Sequence, residues 1–165
     1  MLIAATEENI VSIVEILNES YRGESGWTTE KHLVSGNRAS KKVIQQEMVN
    51  GYSYYLYQHQ NELIGCFNLV KEGGAVEIGA LAIMAAHQNL GFGKILLHQA
   101  EKIACALPNV ESLKLSVLAP RKELISFYER RGYRLTKLTY PFPSSRGVGQ
   151  VLIEGLSVVV MEKNV

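Results

Sequence analysis

The stretch Val76–Ala106, VEIGALAIMAAHQNLGFGKILLHQAEKIACA, joins an apolar segment to a glycine-containing loop and then to an amphipathic pattern. Val76 to Met84 is apolar in both alternating sets except at Glu77, with positions 76, 78, 80, 82 and 84 predicted on one face and 79, 81 and 83 on the other. A strand that is apolar on both faces is typical of the middle of a covered sheet. The stretch therefore predicts a central strand, a turn at 85–87 and a helix after Gly93.

The loop Gln88–Lys94 lies where this strand gives way to the helix. Unpaired backbone N–H groups and the positive end of the helix dipole make such a position suited to anions. Gly91 and Gly93 would let the backbone approach a bulky phosphate, because glycine has no Cβ. The alternative is a tight turn in which two small residues serve only the packing of the helix start.

Length and composition indicate an ordinary globular protein. The 165 residues predict one domain over 1–165, and 47% hydrophobic with 20% charged residues provides for a real core. A net charge of +1 argues against nucleic-acid or membrane partners. We expect a cytoplasmic protein, because Met1 is followed by no basic region and no long apolar run. Cys66 and Cys105 are expected to be buried thiols, and the four histidines show no metal-ligand spacing, so no metal is expected.

The remaining periodicities predict a mixed α/β domain, with a central twisted sheet of about six to seven strands and helices on both faces. A hairpin is expected at Gln60-Asn61. The strand around Leu115 follows a helix and should therefore run parallel to the central strand. Predicted strands cover 2–5, 52–59, 62–71, 76–84, 113–117, 133–139 and 150–162; predicted helices include one over Ile10–Leu17, one after a Thr28 cap through Leu33, one after a Ser40 cap through Met48, and one over Arg121–Arg131.

Two motifs resemble one known family. Gln88-x-x-Gly91-x-Gly93 after a buried strand resembles the acetyl-CoA-binding motif of the GNAT superfamily of N-acetyltransferases. Phe127-Tyr128-x-x-x-Gly132-Tyr133 resembles that family's second signature, and the order of elements is also similar over nearly the whole chain. The resemblance implies a GNAT-like fold and acetyl-CoA (coenzyme A) as cosubstrate. It also implies transfer of an acetyl group, by direct attack on the thioester, to a primary amine of a small molecule or protein.

The resemblance also implies which residues bind the cofactor. The loop amides would hold the pyrophosphate, and the strand backbone would hold the pantetheine arm as an added strand. Lys94 could add charge beside the phosphates or be a solvated helix-start residue. The implied cofactor-binding residues are Leu81, Ala82, Ile83, Gln88, Asn89, Leu90, Gly91, Phe92, Gly93, Lys94 and Phe127.

Two residues are candidates for acid–base catalysis. Glu77 precedes Gln88 at the spacing of the catalytic glutamate in histone-type members of the family, and a carboxylate in an apolar strand could have a raised pKa. The alternative is a carboxylate at the wet end of the strand. The resemblance places the Tyr128 hydroxyl near the thioester sulfur, where it could protonate the leaving thiolate. The alternative is an aromatic core residue beside Phe127.

The acceptor amine is not disclosed by the sequence. The segments Tyr21–Arg38, with the single tryptophan Trp27, and Tyr140–Gly149 are the predicted walls of its site, and their charges are mixed. A non-catalytic acyl-CoA-binding or sensor module is the alternative function, and a homodimer is left open. A hydrolase and a nucleotide-binding loop have little support, because neither G-x-S-x-G nor a Walker A motif is present.

Overall fold

Seven strands form one mixed sheet in the computed structural model, which describes residues 1–27 and 29–165. The order across the sheet is β1-β3-β4-β5-β6-β9-β7, and a separate two-stranded sheet pairs β2 with β8. Among the strands of the described residues, β5 and β6 are the one pair that runs in parallel, and this confirms the parallel strand predicted around Leu115. The strands are β1 (Leu2–Ala4), β2 (Val34–Ser35), β3 (Ser53–His59), β4 (Glu62–Glu72), β5 (Ala75–Ile83), β6 (Ser112–Leu118), β7 (Arg134–Pro141), β8 (Gln150–Val151) and β9 (Ser157–Asn164).

Helices cover both faces of the sheet, which confirms the predicted fold class. On one face α1 (Ile10–Arg22) and α2 (Lys41–Val49) pack on a cluster that includes Leu56 and Cys66. On the other face α3 (Phe92–Cys105) and α4 (Lys122–Glu129) pack on a cluster that includes Phe67. Among the residues that the structure describes, no helix is long and apolar enough to span a bilayer.

The local turn and cap signals are confirmed. Gln60 and Asn61 have φ of 48° and 65° between β3 and β4, which is the conformation that a two-residue hairpin turn requires. The Ser40 side chain accepts a hydrogen bond from the Val43 N–H at 3.3 Å and so caps α2.

A β-bulge in β5 overturns the predicted division of its faces. Asn68 of β4 is opposite Gly79 and Cys66 is opposite Ala82, so β5 contains one extra residue there. Ala80 occupies the extra position with φ of 50°. As a result Ile78 packs with the α3/α4 cluster, whereas Ala80 packs with the α1/α2 cluster. A left-handed alanine costs about 1–2 kcal/mol, and such strain is concentrated at functional sites.

Three other predictions are wrong or lie partly outside the described residues. The predicted strand 150–162 is two strands, β8 and β9, which belong to different sheets because a turn around Gly155 (φ 71°) separates them. Thr28 lies outside the described residues, and the stretch before Leu33 is a single turn rather than a helix, with the Leu33 N–H donating to the Glu30 carbonyl. Cys105 is exposed because it ends α3 on the outer side, whereas Cys66 is buried as predicted.

Candidate active site

Two cavities meet where β5 and β6 diverge. The parallel ladder between these strands covers only Ala75–Glu77 opposite Ser112–Lys114. Beyond Glu77 the strand passes through the bulge, and its last residues, Leu81–Ile83, line the first cavity, which has a volume of about 410 Å³. A second cavity of about 240 Å³ lies on the Glu77 side.

The first cavity brings together most of the predicted cofactor-binding residues. Nine of them line it, although they come from a strand, a loop and two helices. They are Leu81, Ala82, Ile83, Gln88, Asn89, Gly91, Gly93, Lys94 and Phe127.

The loop before α3 has the shape of an anion-binding nest. Asn89 and Gly91 adopt left-handed conformations, with φ of 63° and 86°, and Gly91 is the N-cap of the 14-residue α3. A Cβ built on Gly93 would meet only the Phe127 ring, at 3.9 Å. Alternating left-handed residues point successive N–H groups toward one concavity, so the loop can accept a phosphate at the helix N-terminus.

Two predicted cofactor residues do not line this cavity. Leu90 is 65% exposed, and the Phe92 ring packs against His59, with centroids 4.8 Å apart, and near Tyr57. Only their backbone groups belong to the loop that the sequence singled out.

Two cations at the first cavity were missed by the sequence analysis. Arg130 and Arg131 line it together with Lys94. The Arg131 guanidinium lies 3.6 Å from the Phe127 ring centroid and donates to the Phe127 carbonyl at 2.7 Å. Both arginines fall inside the second sequence signature, and their adjacent positive charges were the available signal. Three cations around one cavity favour a polyanionic ligand.

Gln88 acts as a clamp within the site. Its Oε1 accepts from the Trp27 N–H at 2.6 Å and its Nε2 donates to the Ile83 carbonyl at 2.8 Å. Trp27 is 40% exposed and its ring lies edge-on to Phe127 at 5.8 Å. The clamp therefore ties the end of β5 to the segment that forms one wall of the first cavity.

The two predicted acceptor walls are joined beside the second cavity. β2 belongs to the first wall and pairs with β8, which directly follows the second wall. Arg22 crosses the gap, donating to the Gly36 carbonyl at 2.9 Å and to the Val148 carbonyl at 2.6 Å. A Cβ at Gly149 would lie 2.6 Å from the Ser35 carbonyl oxygen and would also collide with Arg22. The junction thus requires glycine at position 149, and it holds the two walls together.

Glu77 lies in the second cavity at the end of the parallel ladder. The Ser116 hydroxyl is 3.5 Å from the Glu77 carboxylate and 2.9 Å from the Tyr140 hydroxyl. Burial raises the pKa of Glu77, and the neighbouring charge of Glu72 raises it further, while Arg146 and Ser116 oppose the shift. A carboxylate with a raised pKa is better suited to accept a proton near neutral pH.

Tyr128 borders both cavities. Its side chain is 5% exposed and lies edge-on to Phe127 and Tyr133. Within residues 1–27 and 29–165 its hydroxyl makes no hydrogen bond to the protein. Burial raises the pKa of Tyr128 and keeps the hydroxyl protonated. It is therefore a donor available to a ligand at the junction of the cavities.

No metal centre is formed in the part of the chain that the structure describes, where no three His, Cys, Asp or Glu side chains are placed to hold an ion.

A seven-stranded mixed sheet whose central strand leads through a glycine loop into a helix is the architecture of one class of acyltransferase. The family model of the acetyltransferase (GNAT) family matches residues 10–133, most of the chain. The chain therefore belongs to the GNAT acetyltransferase family and is an acyltransferase. This confirms the family that the two sequence motifs predicted.

Comparison with individual proteins is consistent with this assignment. The uncharacterized protein YxbD of Bacillus subtilis is 32% identical over 99 residues, which are 60% of this chain and 59% of YxbD. A GNAT family acetyltransferase from Elizabethkingia anophelis with acetyl-CoA bound has a TM-score of 0.67 at 18% identity, covering 100% of this chain and 97% of that one. A Bacillus subtilis acetyltransferase in complex with CoA has a TM-score of 0.72 at 18% identity, covering 99% of this chain and 97% of that one. At these identities the two structures show a shared fold.

Proposed function

We propose that the chain is an acetyl-CoA-dependent N-acetyltransferase that acetylates a primary amine by direct attack on the thioester, and that one domain over 1–165 carries the whole site. The observation that carries this proposal is the position of Tyr128, which borders both cavities. If the first cavity holds the cofactor and the second the acceptor, the thiolate departs at their junction, and it would need a proton donor there.

The residues of the first cavity fit coenzyme A. The left-handed loop and the start of α3 offer N–H groups to a pyrophosphate, and Lys94, Arg130 and Arg131 supply positive charge around it. The backbone of Leu81–Ile83 lies along the same cavity and suits an extended pantetheine arm. Acetyl-CoA would supply the activated acetyl group.

The second cavity would receive the amine. Glu77 would take a proton from the ammonium, directly or through water, and the chain Ser116–Tyr140 offers that proton a route toward solvent, because Tyr140 is 43% exposed. A backbone N–H within Leu81–Ile83 would stabilise the oxyanion. Attack forms the C–N bond and gives the tetrahedral oxyanion, and collapse of this oxyanion breaks the C–S bond. Tyr128 would then protonate the departing thiolate, and the second proton lost by the nitrogen would restore the tyrosine hydroxyl.

The proposed function is tested by incubating the protein with acetyl-CoA and a panel of primary amines while measuring released thiol. We expect amine-dependent release and an acetylated product of matching mass. Binding of acetyl-CoA with no release for any amine would favour the alternative, a non-catalytic acyl-CoA-binding or sensor module.

We predict that Glu77→Gln lowers the rate most at the acidic end of the assayed range. The pKa of a typical acceptor amine is about 7.7–10.4. Below that pKa the fraction of free amine falls tenfold per pH unit, so a catalytic base is needed most at low pH. Rate profiles against pH for both proteins check this, with acetyl-CoA affinity expected to be nearly unchanged.

Thermal stability provides the control for Glu77→Gln. Because the folded-state pKa of Glu77 is raised, its stabilising contribution is complete at low pH and is lost as the pH rises through that pKa. The variant should therefore be more stable than the wild type at neutral pH, with the difference vanishing below about pH 4. Wild-type rates across the whole pH range would show that the amine loses its proton elsewhere.

A further inference from the structure

The second cavity is rich in arginine, but most of that charge is neutralised within the protein. Four arginines and two glutamates line it. Three of the arginines are paired with carboxylates: Arg22 with Glu30 at 3.1 Å, Arg121 with Glu123 at 2.7 Å and with Glu30 at 3.8 Å, and Arg146 with Glu47 at 3.1 Å.

Arg38 is the exception. Over residues 1–27 and 29–165, no carboxylate lies within ion-pair distance of its guanidinium. The guanidinium instead lies over the Tyr21 ring, whose centroid is 5.5 Å away. The side chain is half-buried, so its charge is only partly hydrated and is available to an anion inside the cavity. A guanidinium suits a carboxylate because its planar fork can donate two parallel hydrogen bonds.

Tyr21 sets the separation between Arg38 and the reaction centre. The tyrosine ring lies beneath Arg38, and its hydroxyl donates to the Leu81 carbonyl at 2.9 Å. Leu81 lines the first cavity, as does Tyr128. An anion on Arg38 and an amine beside Tyr128 would thus be separated by about the length of one tyrosine side chain, a distance that a small molecule can span.

The other charges of the cavity argue against a polyamine. A ligand with several ammonium groups would need several free carboxylates, yet Glu30 already serves two arginines. Glu77 is the only other carboxylate that lines the cavity among the described residues. Within the described part of the chain, the cavity thus has one cation and one carboxyl group without an ion-pair partner, Arg38 and Glu77, and these complement an acceptor that carries one anion and one amine.

The volume of the second cavity argues for a small acceptor. It measures about 240 Å³, which lies below the roughly 300–1,000 Å³ of sites for drug-sized ligands. The β2–β8 pairing and the Arg22 bridge hold together the two segments that flank it.

We propose that the second cavity binds a small primary amine that bears one carboxylate, and that Arg38 binds this carboxylate. The inference rests on the proposed acetyltransferase function and assigns its acceptor class. Arg38 is a specificity residue and does not touch the reacting atoms.

The test compares α-, β- and γ-amino acids with the carboxamide of each, using the full chain saturated with CoA for binding and with acetyl-CoA for thiol release. We expect the amino acids to raise the melting temperature and to be acetylated, and the carboxamides to bind far more weakly. Arg38→Gln should raise Kd and KM for the amino acids about 10- to 100-fold, the range for losing a hydrogen bond to a charged group, with little change in kcat. Arg38→Lys should recover part of the loss, because it keeps the charge without the fork.

Arg134→Gln is the matched control, since it removes the same charge from an exposed position on β7 that lines neither cavity. Arg134→Gln should leave Kd, KM and kcat for the amino acids unchanged. Equal affinity of the wild type for acids and amides, an undiminished preference in Arg38→Gln, or tighter binding of aminoalkyl phosphonates than of amino acids would overturn the assignment.

The two proposals fail in different ways. Rapid acetylation of amines without any preference for a carboxylate would leave the acetyltransferase function standing and overturn the role of Arg38. Binding of amino acids that depends on Arg38, but with no thiol released, would support the carboxylate site and contradict the proposed turnover.

Discussion

Tyr128→Phe is expected to lower kcat by about 10²–10⁴-fold, the usual contribution of a general acid, while acetyl-CoA affinity stays close to that of the wild type. The side chain is 5% exposed and its burial keeps the hydroxyl protonated, so the group at the junction of the two cavities is a donor at any assay pH. Phenylalanine keeps the ring in its contacts with Phe127 and Tyr133 and removes only the proton that the thiolate would receive. Single-turnover rates with saturating acetyl-CoA provide the measurement, because they report chemistry rather than product release.

The loss should not be a consequence of instability. Since the Tyr128 hydroxyl makes no hydrogen bond within the described chain, its removal leaves no buried partner unsatisfied and the melting temperature should be unchanged. Tyr133→Phe is the matched control, because this buried neighbour donates to the Glu101 carboxylate at 2.9 Å and lines neither cavity. That variant should lose roughly 1.5–3 kcal/mol of stability but retain kcat. A stable Tyr128→Phe protein with undiminished kcat would leave the thiolate to be protonated by water and make Tyr128 a core residue.

The elements that could be predicted from the sequence are those with local causes. The hairpin at Gln60-Asn61 depends on two residues that tolerate positive φ, and α2 depends on a Ser40 cap. The central strand depends on apolar residues in both alternating sets. The loop Gln88–Lys94 also belongs here, since its glycines and the following helix are adjacent in the chain.

The features that could not be predicted are tertiary. The bulge at Ala80 is defined by the register against β4. The apolar residues along β5 contain no sign of it, because both alternating sets are apolar. The residues 150–162 are continuous in pattern, yet β8 and β9 pair with different strands.

The charge of the second cavity could not be predicted from the sequence either. The segment 21–38 contains both acidic and basic residues, so its sequence does not indicate whether the ligand is positively or negatively charged. Only the folded structure shows that Arg22 and Arg146 are paired whereas Arg38 has no carboxylate partner in the described chain. The sequence therefore indicated which residues line the first cavity better than it indicated how the charges of the second cavity are paired.

Gly93→Asp is expected to abolish the stabilisation of the protein by acetyl-CoA. In the wild type, ligand at about one hundred times its Kd adds about 2.7 kcal/mol, which corresponds to a rise of roughly 5–10 °C in melting temperature for a chain of this size. Gly93 lies in the first turn of α3, where a side chain would project into open space with only the Phe127 ring at 3.9 Å. The unliganded fold should thus tolerate aspartate, and a negative charge in the first helical turn is even favourable. The same charge would repel a pyrophosphate placed on the loop amides.

Two comparisons separate charge from shape and from backbone strain. Gly93→Asn has the same size as Gly93→Asp without the charge, so it should keep a clear part of the acetyl-CoA shift. Gly91→Asp adds backbone strain to the charge, because φ is 86° at Gly91. Gly51→Asp imposes similar strain, because φ is 93° at Gly51 and open space surrounds it. Gly51 lies in the turn after α2, away from both cavities. We expect Gly51→Asp to lower the melting temperature of the unliganded protein and to retain the full ligand-induced rise, whereas Gly91→Asp loses that rise. If both Gly91→Asp and Gly93→Asp kept a wild-type shift, the pyrophosphate could not lie on this loop, and the cations Lys94, Arg130 and Arg131 would have to bind it elsewhere in the first cavity.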